Sequence, residues 1–308
     1  MQIHQIKTKI KTATSFINNP KKMLYPAAQN GFFKWIPDKY FLKILYWAEL
    51  DRRLDLNDPT LFSEKIQWLK LHDRNPNYTY LVDKFLVKSI VSTKIGSEYI
   101  IPTLKYWDSV EEIDFDCLPN SFVIKCNHDS GGIFICKDKR TQDISLLKKR
   151  IMIRFERNAY YSGREWPYKN ISKRIIAEEL LNDPNHYDLI DYKFYCFNGI
   201  PRYCQVIQNR STNETIDFYD MEWRYQPFTG LGINSKQGDP IDKPLRFETM
   251  KNMAEKLAEG TMFVRIDLYN IDGKIYFGEY TLYPKSGFGR FTPDEWNIKL
   301  GDMIHIKE

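Results

Sequence analysis

Long apolar runs are missing from this chain of 308 residues: no stretch approaches the roughly 18 to 20 apolar residues that cross a bilayer, so it reads as soluble or at most surface-bound. Cysteine is scarce. The five present, Cys117, Cys126, Cys136, Cys196 and Cys204, form neither a C-x-x-C pair nor the even framework of a small secreted domain, which predicts reduced thiols and a cytoplasmic location. Met1 to Thr14 contains no continuous apolar stretch of the kind a signal peptide needs. Charge of one sign is not concentrated either: the net +5 is spread through a chain with 40 acidic residues, which argues against nucleic acid and leaves small polyanions as partners. Repeats and low-complexity linkers are absent, so any lobes should be tightly joined.

What is present is core-forming material, 43% hydrophobic with 20 Tyr, 19 Phe and 7 Trp. Apolar residues recur at helical spacing in 40–50 and again at Phe62, Ile66, Trp68 and Leu69, so the first third is expected to be helical. In the first 48 residues Lys7, Lys9, Lys11, Lys21, Lys22, Lys34, Lys39 and Lys43 stand beside Trp35, Phe41, Leu42 and Trp47. A basic amphipathic segment of this kind can lie on an anionic membrane, although a packing helix with a solvated lysine face is commoner. The spacing predicts a helix over 82–94 ended by Gly96, then a short strand over 99–102. The period then shortens to strand-like runs at 122–125 and 133–136 around a glycine-bearing loop, followed by a helix over 141–158 and a strand over 175–181. Strands 191–197 and 202–208 flank an Asn198-Gly199 turn. A helix over 247–259 then precedes a second hairpin, 262–269 and 275–280. This order of helices, a small sheet and a larger sheet predicts an α+β fold.

Two constellations carry chemistry. Lys125 ends an apolar strand just before Asn127-His128-Asp129-Ser130-Gly131-Gly132, where glycine lets backbone N–H groups converge on phosphate oxygens and lysine adds a point charge. Alone, this loop is equally compatible with an ordinary hairpin. Far downstream, alternation puts Arg265 and Asp267 on one face of a strand and Glu279 and Thr281 on one face of its partner, so two carboxylates can meet as hard oxygen ligands for magnesium. A charged solvent face of an edge hairpin is the competing account. His128-Asp129-Ser130 cannot be a hydrolase triad, because adjacent residues do not reach nucleophile-base-orienter geometry. Cys196 and Cys204 are offset by the turn register, and His186 with Asp188 lacks a third zinc ligand.

The Asp83-Lys84 pair, Lys125 before the glycine loop, the acidic segment Glu178-Glu179-Leu180-Leu181, and the late Asp267 and Glu279 resemble, in that order, the ATP-grasp superfamily. Residues 61–70 (LFSEKIQWLK), 126–132 (CNHDSGG) and 191–199 (DYKFYCFNG) look like its TupA-like branch, which is associated with bacterial surface-polysaccharide clusters, including teichuronopeptide synthesis. The resemblance covers roughly residues 55 to 300. It implies an ATP-grasp fold: two α+β lobes with antiparallel sheets clasping the nucleotide, as 1–80 helical segment, 81–180 small lobe and 181–308 large lobe. The helical segment stands where a nucleotide-fold lobe is usual. Position by position, the resemblance puts Lys84 and Lys125 on the phosphates and Ser130, Gly131 and Gly132 over them. Glu178, Glu179, Leu180 and Leu181 would meet adenine, Asp191 the ribose, and Lys193 phosphate or acceptor. Magnesium would lie on Asp267 and Glu279, with Thr281 where many relatives carry asparagine.

The activity so implied is ATP-dependent ligation of a carboxylate to an amine through an acylphosphate, with Arg265, Lys125 and Lys193 as the catalytic cations and ATP and Mg2+ as cofactors. A uronic-acid carboxylate on a sugar or glycan and a small amine would be the partners, at the inner face of the membrane. Tyr192, Trp223, Tyr225 and Arg290 are candidate acceptor contacts. Two alternatives stay open: an ATP-grasp kinase, and a glycosyltransferase or sugar-nucleotide-binding protein of the same pathway.

Overall fold

The computed structural model describes residues 20–129, 131–232 and 236–306. Helices α1 (Leu24–Gln29), α2 (Asp38–Leu50), α3 (Phe62–His72), α4 (Tyr78–Val82) and α5 (Val87–Ile95) come first. A four-stranded antiparallel sheet follows, β1 (Thr103–Trp107), β2 (Phe122–Cys126), β3 (Ile133–Cys136) and β4 (Ile175–Glu178), in the order β1-β4-β2-β3. Its core of Phe122, Ile124, Phe134, Ile175 and Ala177 is closed by Leu147 and Ile151 of α6 (Ile144–Phe155), with α7 (Tyr160–Gly163) beyond. The larger antiparallel sheet runs β10-β9-β5-β6-β7, from β5 (Asp191–Phe197), β6 (Ile200–Gln208), β7 (Thr215–Asp220), β9 (Phe263–Ile271) and β10 (Lys274–Thr281). The two-residue strands β8 (Thr229–Gly230) and β11 (Phe291–Thr292) pair with each other. Helices α8 (Phe247–Ala258) and α9 (Glu295–Asp302) complete the fold.

The two faces of the large sheet differ in a way that creates the site. One face is apolar and takes α8: Phe247 stacks on Phe194 at 5.8 Å, and Tyr280 Oη donates to the Leu257 carbonyl at 3.0 Å. The other face is divided. At one end Tyr195, Phe197 and Phe263 are covered by Phe62 of α3, whose ring stands edge-on to Phe263 at 5.0 Å. At the other end the same face carries charge.

Helix α3 does more than cover that aromatic end. Glu64 Oε2 accepts the backbone N–H groups of Thr60 (3.1 Å) and Leu61 (3.0 Å), which caps its first turn. Farther along, the buried Lys70 Nζ donates to the carbonyls of Gly163 (2.7 Å) and Ser286 (2.6 Å) and to Ser286 Oγ (3.0 Å). Gln67 Nε2 adds a bond to the Ser286 carbonyl at 3.1 Å. Lys285, Ser286 and Gly287 all have positive φ (49°, 53° and 67°), a strained run that persists because α3 fixes it from outside. Burial lowers the Lys70 ammonium pKa to about 7.

Three boundaries differ from the sequence expectation. The helix expected over 82–94 begins at Val87, because Asp83 Oδ1 captures the N–H groups of Phe85 (2.8 Å) and Leu86 (3.2 Å) and breaks the chain there. Residues 99–102 are not a strand. A 3-10 turn, Ser97–Tyr99, leads to a single parallel bridge between Ile100 and Phe277, and β1 starts only after Pro102, which has no N–H to give. Strand 175–181 stops at Glu178, since the Glu179 N–H leaves the ladder for the Pro102 carbonyl at 3.1 Å. The cysteines are free thiols, with Cys204 opposite Phe194 and Cys196 opposite Pro201.

Replacing Lys70 by Met leaves the Gly163 carbonyl without its donor and the Ser286 carbonyl with Gln67 alone, and at about 1–3 kcal/mol for an unpaired buried group a loss of about 2 kcal/mol is expected in urea unfolding. The exposed Lys149→Met is expected to change stability by less than about 0.5 kcal/mol.

Candidate functional site

Cross-strand register assembles the charged end of the large sheet. Lys193 on β5 lies opposite Asp267 on β9, and Asp267 lies opposite Glu279 on β10. The next pair out is Arg265 opposite Thr281. A regular β9–β10 ladder would not achieve this. From Phe277 opposite Leu268, uninterrupted pairing would put Gly278 against Asp267 and Glu279 against Ile266, on the face that packs on α8. Instead the register shifts between Phe277 and Glu279, so Gly278 is the extra residue and Glu279 comes round beside Asp267. Glycine is required by space: a Cβ at 278 would sit 3.0 Å from the Asp267 carbonyl oxygen and 3.3 Å from the Tyr269 ring.

Arg265 locks the two carboxylates. Its Nε and Nη2 donate to Asp267 Oδ1 (2.6 Å) and Oδ2 (2.7 Å), while Nη2 also reaches Glu279 Oε1 (3.3 Å) and Thr281 Oγ1 (2.9 Å). Lys193 Nζ donates to Asp267 Oδ2 and pairs with Asp191 Oδ1 at 3.3 Å. Asp191 Oδ2 in turn meets Arg210 at 2.7 Å. The Thr281 hydroxyl donates to Glu279 Oε1 at 3.0 Å, so it serves the carboxylate as a neighbour. Burial works to raise the Glu279 pKa, but Lys84, Lys193 and Arg265 outweigh it and hold the carboxyl at about 2.

The small lobe supplies the facing cations. Lys84 sits in the break between α4 and α5, which is stitched to the glycine loop. The Lys84 N–H donates to the Asn127 carbonyl (3.2 Å), Asn127 Nδ2 to Asp83 Oδ2 (3.0 Å), and Lys84 Nζ to the Asp129 carbonyl (2.6 Å). Lys125 Nζ pairs with Glu178 Oε2 and Lys88 Nζ with Glu178 Oε1, each at 2.5 Å. Burial opposes the charge on Glu178, yet the two lysines prevail and lower its pKa; at Lys88 burial prevails and lowers the ammonium. Gly132 is confined by Asp129, whose Oδ2 would lie 2.6 Å from an added Cβ, and Gly131 has φ +90°. Ser130 lies outside the described residues. A narrow cleft between the lobes, with a cavity volume of ≈ 10 Å³, is lined by Lys84, Lys88, Lys125, Glu178, Phe277 and Gly278.

The structure therefore brings Lys84, Lys125 and Glu178 to one wall of a cleft and Lys193, Arg265, Asp267, Glu279 and Thr281 to the adjoining strands. Glu179 is exposed and Leu180 and Leu181 half-buried; with the Glu179 N–H committed to Pro102, the remaining backbone groups of this segment are what a base could meet. The candidate acceptor contacts Tyr192, Trp223, Tyr225 and Arg290 each have partners within the fold, and of the four only Tyr192 is buried. Trp223 stacks on Tyr219 at 4.2 Å and Tyr192 is buried near it; Tyr225 Oη donates to Asp217 at 3.1 Å, and Arg290 donates to the Leu50 carbonyl. Sequence reasoning missed Lys88, Arg210 and Arg154, the last bound to Asp129 Oδ2 at 2.5 Å. Lys88 alone left a trace, one helical turn after Lys84.

Among the described residues no group of three or more His, Cys, Asp or Glu could hold a metal by protein ligands alone. Magnesium does not need one, since it keeps waters and takes one or two carboxylates together with phosphate oxygens. Asp267 and Glu279 fit that demand: adjacent, anionic, and with no partner on Glu279 Oε2 among the described residues.

A family model described as TupA-like ATPgrasp matches residues 64–305. Among solved structures the chain is similar to D-alanine–D-alanine ligase from Bacillus anthracis complexed with ATP, at 19% identity over 73% of this chain and 63% of that one, with a TM-score of 0.42. It is also similar to D-alanine–D-alanine ligase from Helicobacter pylori (14% identity, 79% of this chain, 69% of that one, TM-score 0.43). A third is phosphoribosylamine–glycine ligase from Thermotoga maritima (13%, 68%, 51%, TM-score 0.38). The chain spans less than two thirds of the length of the first and third of these. No curated protein matches it.

Because Gly278 is the extra residue, deleting it would leave Glu279 opposite Asp267 in a regular ladder, and nucleotide binding measured with and without magnesium should keep its magnesium dependence; Gly278→Val, which presses on the Asp267 carbonyl and the Tyr269 ring, should weaken that dependence. Acid unfolding offers a second check. The folded Glu279 carboxyl lies near 2, below its ordinary 4.5, so its stabilisation is present above pH 4.5 and lost as pH falls toward 2. Glu279→Gln should be less stable than the parent near neutrality, and the gap should close toward the acid end.

Proposed function

The chain belongs to the TupA-like ATP-grasp family, and on that premise we propose that it is an ATP-dependent ligase joining a carboxylate to an amine. The observation that carries the reading is the row Lys193–Asp267–Glu279, brought together by the Gly278 bulge beside a cleft whose other wall presents Lys84 and Lys125. Cations on one side and the carboxylates of Asp267, buried, and Glu279, half-buried, on the other suit a triphosphate entering with a divalent ion.

In this reading Lys84 and Lys125 bind phosphate oxygens, and Glu178 keeps Lys125 extended toward them until the nucleotide takes over. Gly131 and Gly132 let the loop backbone approach closely. Asp267 and Glu279 would hold magnesium, which neutralises phosphate charge when bound. Arg265 keeps both carboxylates in place, and its positive charge stabilises the acyl group as charge develops. The acceptor carboxylate oxygen attacks the γ-phosphorus and ADP leaves; an amine then attacks the acyl carbon of the mixed anhydride and releases phosphate, leaving an amide. The acceptor we propose is a uronic-acid or similar carboxylate of a surface polysaccharide, which the resemblance in sequence implies.

ADP release should require a carboxylate and an amine together, with phosphate free in solution and an amide in the product. Phosphate retained on the acceptor would instead mean a kinase. Lys125→Ala and Glu279→Ala are each expected to lower kcat/KM by at least about 100-fold with the far-UV spectrum unchanged. Turnover near the parent level in either variant would remove this mechanism.

A further inference from the structure

The outer side of α2 and the turn before it form a surface the site does not use. Phe33 and Ile36 point inward onto a small core of Ala28, Phe41 and Leu45. The turn is pinned from inside: the buried Arg164 donates through Nη2 to the carbonyls of Phe33 (2.6 Å) and Ile36 (3.3 Å), with its guanidinium 4.2 Å from the centre of the Phe41 ring. Phe32 and Trp35 are left facing outward, 71% and 80% exposed. Along α2, Tyr40, Ile44 and Trp47 fall at i, i+4 and i+7 and so share one stripe, exposed by 62%, 43% and 47%. Phe41 and Leu42, which the sequence also offered to this face, are buried instead. Five large exposed apolar side chains so close together in sequence, on one turn and the helix that follows it, are unlike the scattered single ones that need no explanation.

Lysine predominates in the charge around them, against the exposed Glu49 of α2. Lys34, Lys39 and Lys43 are exposed among the rings, and Lys21 Nζ lies 4.0 Å from the Trp47 ring centre. The acids nearby are already committed. Asp38 pairs with Arg164 at 3.2 Å and accepts Tyr160 Oη at 2.7 Å, while Asp51 pairs with Lys21 at 2.7 Å. Residues 1–19, outside the described part, add Lys7, Lys9 and Lys11 and no acid.

We propose that this face docks on an anionic lipid bilayer, with the aromatic rings entering the headgroup layer and the lysines meeting lipid phosphates. Charge complementarity selects this occupant: a second copy would set Lys34, Lys39 and Lys43 against their own equivalents. Rings and lysines are interleaved on the outside of a helix, with no groove between them, which suits a flat and fluid partner. Snorkelling lysines can hold their ammonium groups at phosphate depth while the rings sit deeper. Among the described residues no helix is long and apolar enough to cross a membrane, so attachment would be to one leaflet.

The test is flotation of the full chain with phosphatidylcholine vesicles, with and without about one third phosphatidylglycerol, enough anionic lipid to set up the surface potential. Binding is expected to the anionic vesicles alone and to fall when salt is raised. Lys39→Gln and Lys43→Gln should each weaken partitioning about fivefold. The triple variant Trp35→Ser, Tyr40→Ser, Ile44→Ser should abolish it, with the urea midpoint held near the parent value as a control on folding. Brominated lipid should quench the parent's tryptophan fluorescence more than that of Trp35→Phe. No binding to anionic vesicles overturns the proposal. So does binding that the substitutions leave untouched, and so does a concentration-dependent dimer that they abolish.

Discussion

One extra residue in a hairpin decides whether this chain has a site. The β9–β10 ladder could pair without interruption, but Glu279 would then be buried against hydrocarbon under α8, and Asp267 would have no carboxylate opposite it. The bulge at Gly278 rotates everything beyond it by one place in the alternation. Thr281 follows Glu279 onto the charged face, and Arg265 finds both. Because no side chain fits at 278 without pushing on the Asp267 carbonyl and the Tyr269 ring, the residue that makes the register shift also keeps the two strands close.

The charges gathered by that shift solve a problem of their own. Lys193, Arg265 and Arg210 alternate in space with Asp191, Asp267 and Glu279, and across the cleft Glu178 lies between Lys88 and Lys125. Removing an ion from water is costly, and each is given a counter-ion at hydrogen-bond distance. The result is a set of charged groups held in fixed positions before any ligand arrives, which is how a protein lowers the reorganisation needed when charge moves in a reaction. Glu178 shows the balance most clearly: burial alone would favour its neutral form, and two lysines reverse that preference.

Much of this was legible from residues alone, but only where the determinants are local. Lys125 ending an apolar strand, the glycine loop, the hairpin around Asn270 to Gly273, and the helix over 247–258 are all set by alternation and turn chemistry within a few positions. That Asp267 and Glu279 meet was expected from their faces, but the means was not. Regular alternation from the observed turn points Glu279 the wrong way, and only the partner strand's packing reveals the bulge. The break at Asp83 escaped for a similar reason, since a side chain bonding two N–H groups ahead of it competes with a helix that the apolar spacing otherwise supports. Lys88, Arg154 and Arg210 gain their meaning from the distant partners Glu178, Asp129 and Asp191 on other elements, and no short motif records such a pairing. The aromatic candidates Tyr192, Trp223 and Tyr225 pack on one another and on Tyr219 and Asp217, because rings that suit a sugar suit a core equally well.

The contacts of α3 bear on how such a protein can be cut and recombined. Chains are often imagined as a transferable nucleotide-binding unit with interchangeable attachments, and residue 80 would be the natural seam. In this molecule Phe62 lies in the aromatic core of the large sheet, and Lys70 and Gln67 hold the strained turn that follows the strand of Glu279. A seam there would run through a core and not between two. The helix before residue 80 therefore has to travel with the large sheet, and a graft made at that point would open a core on both sides of the cut.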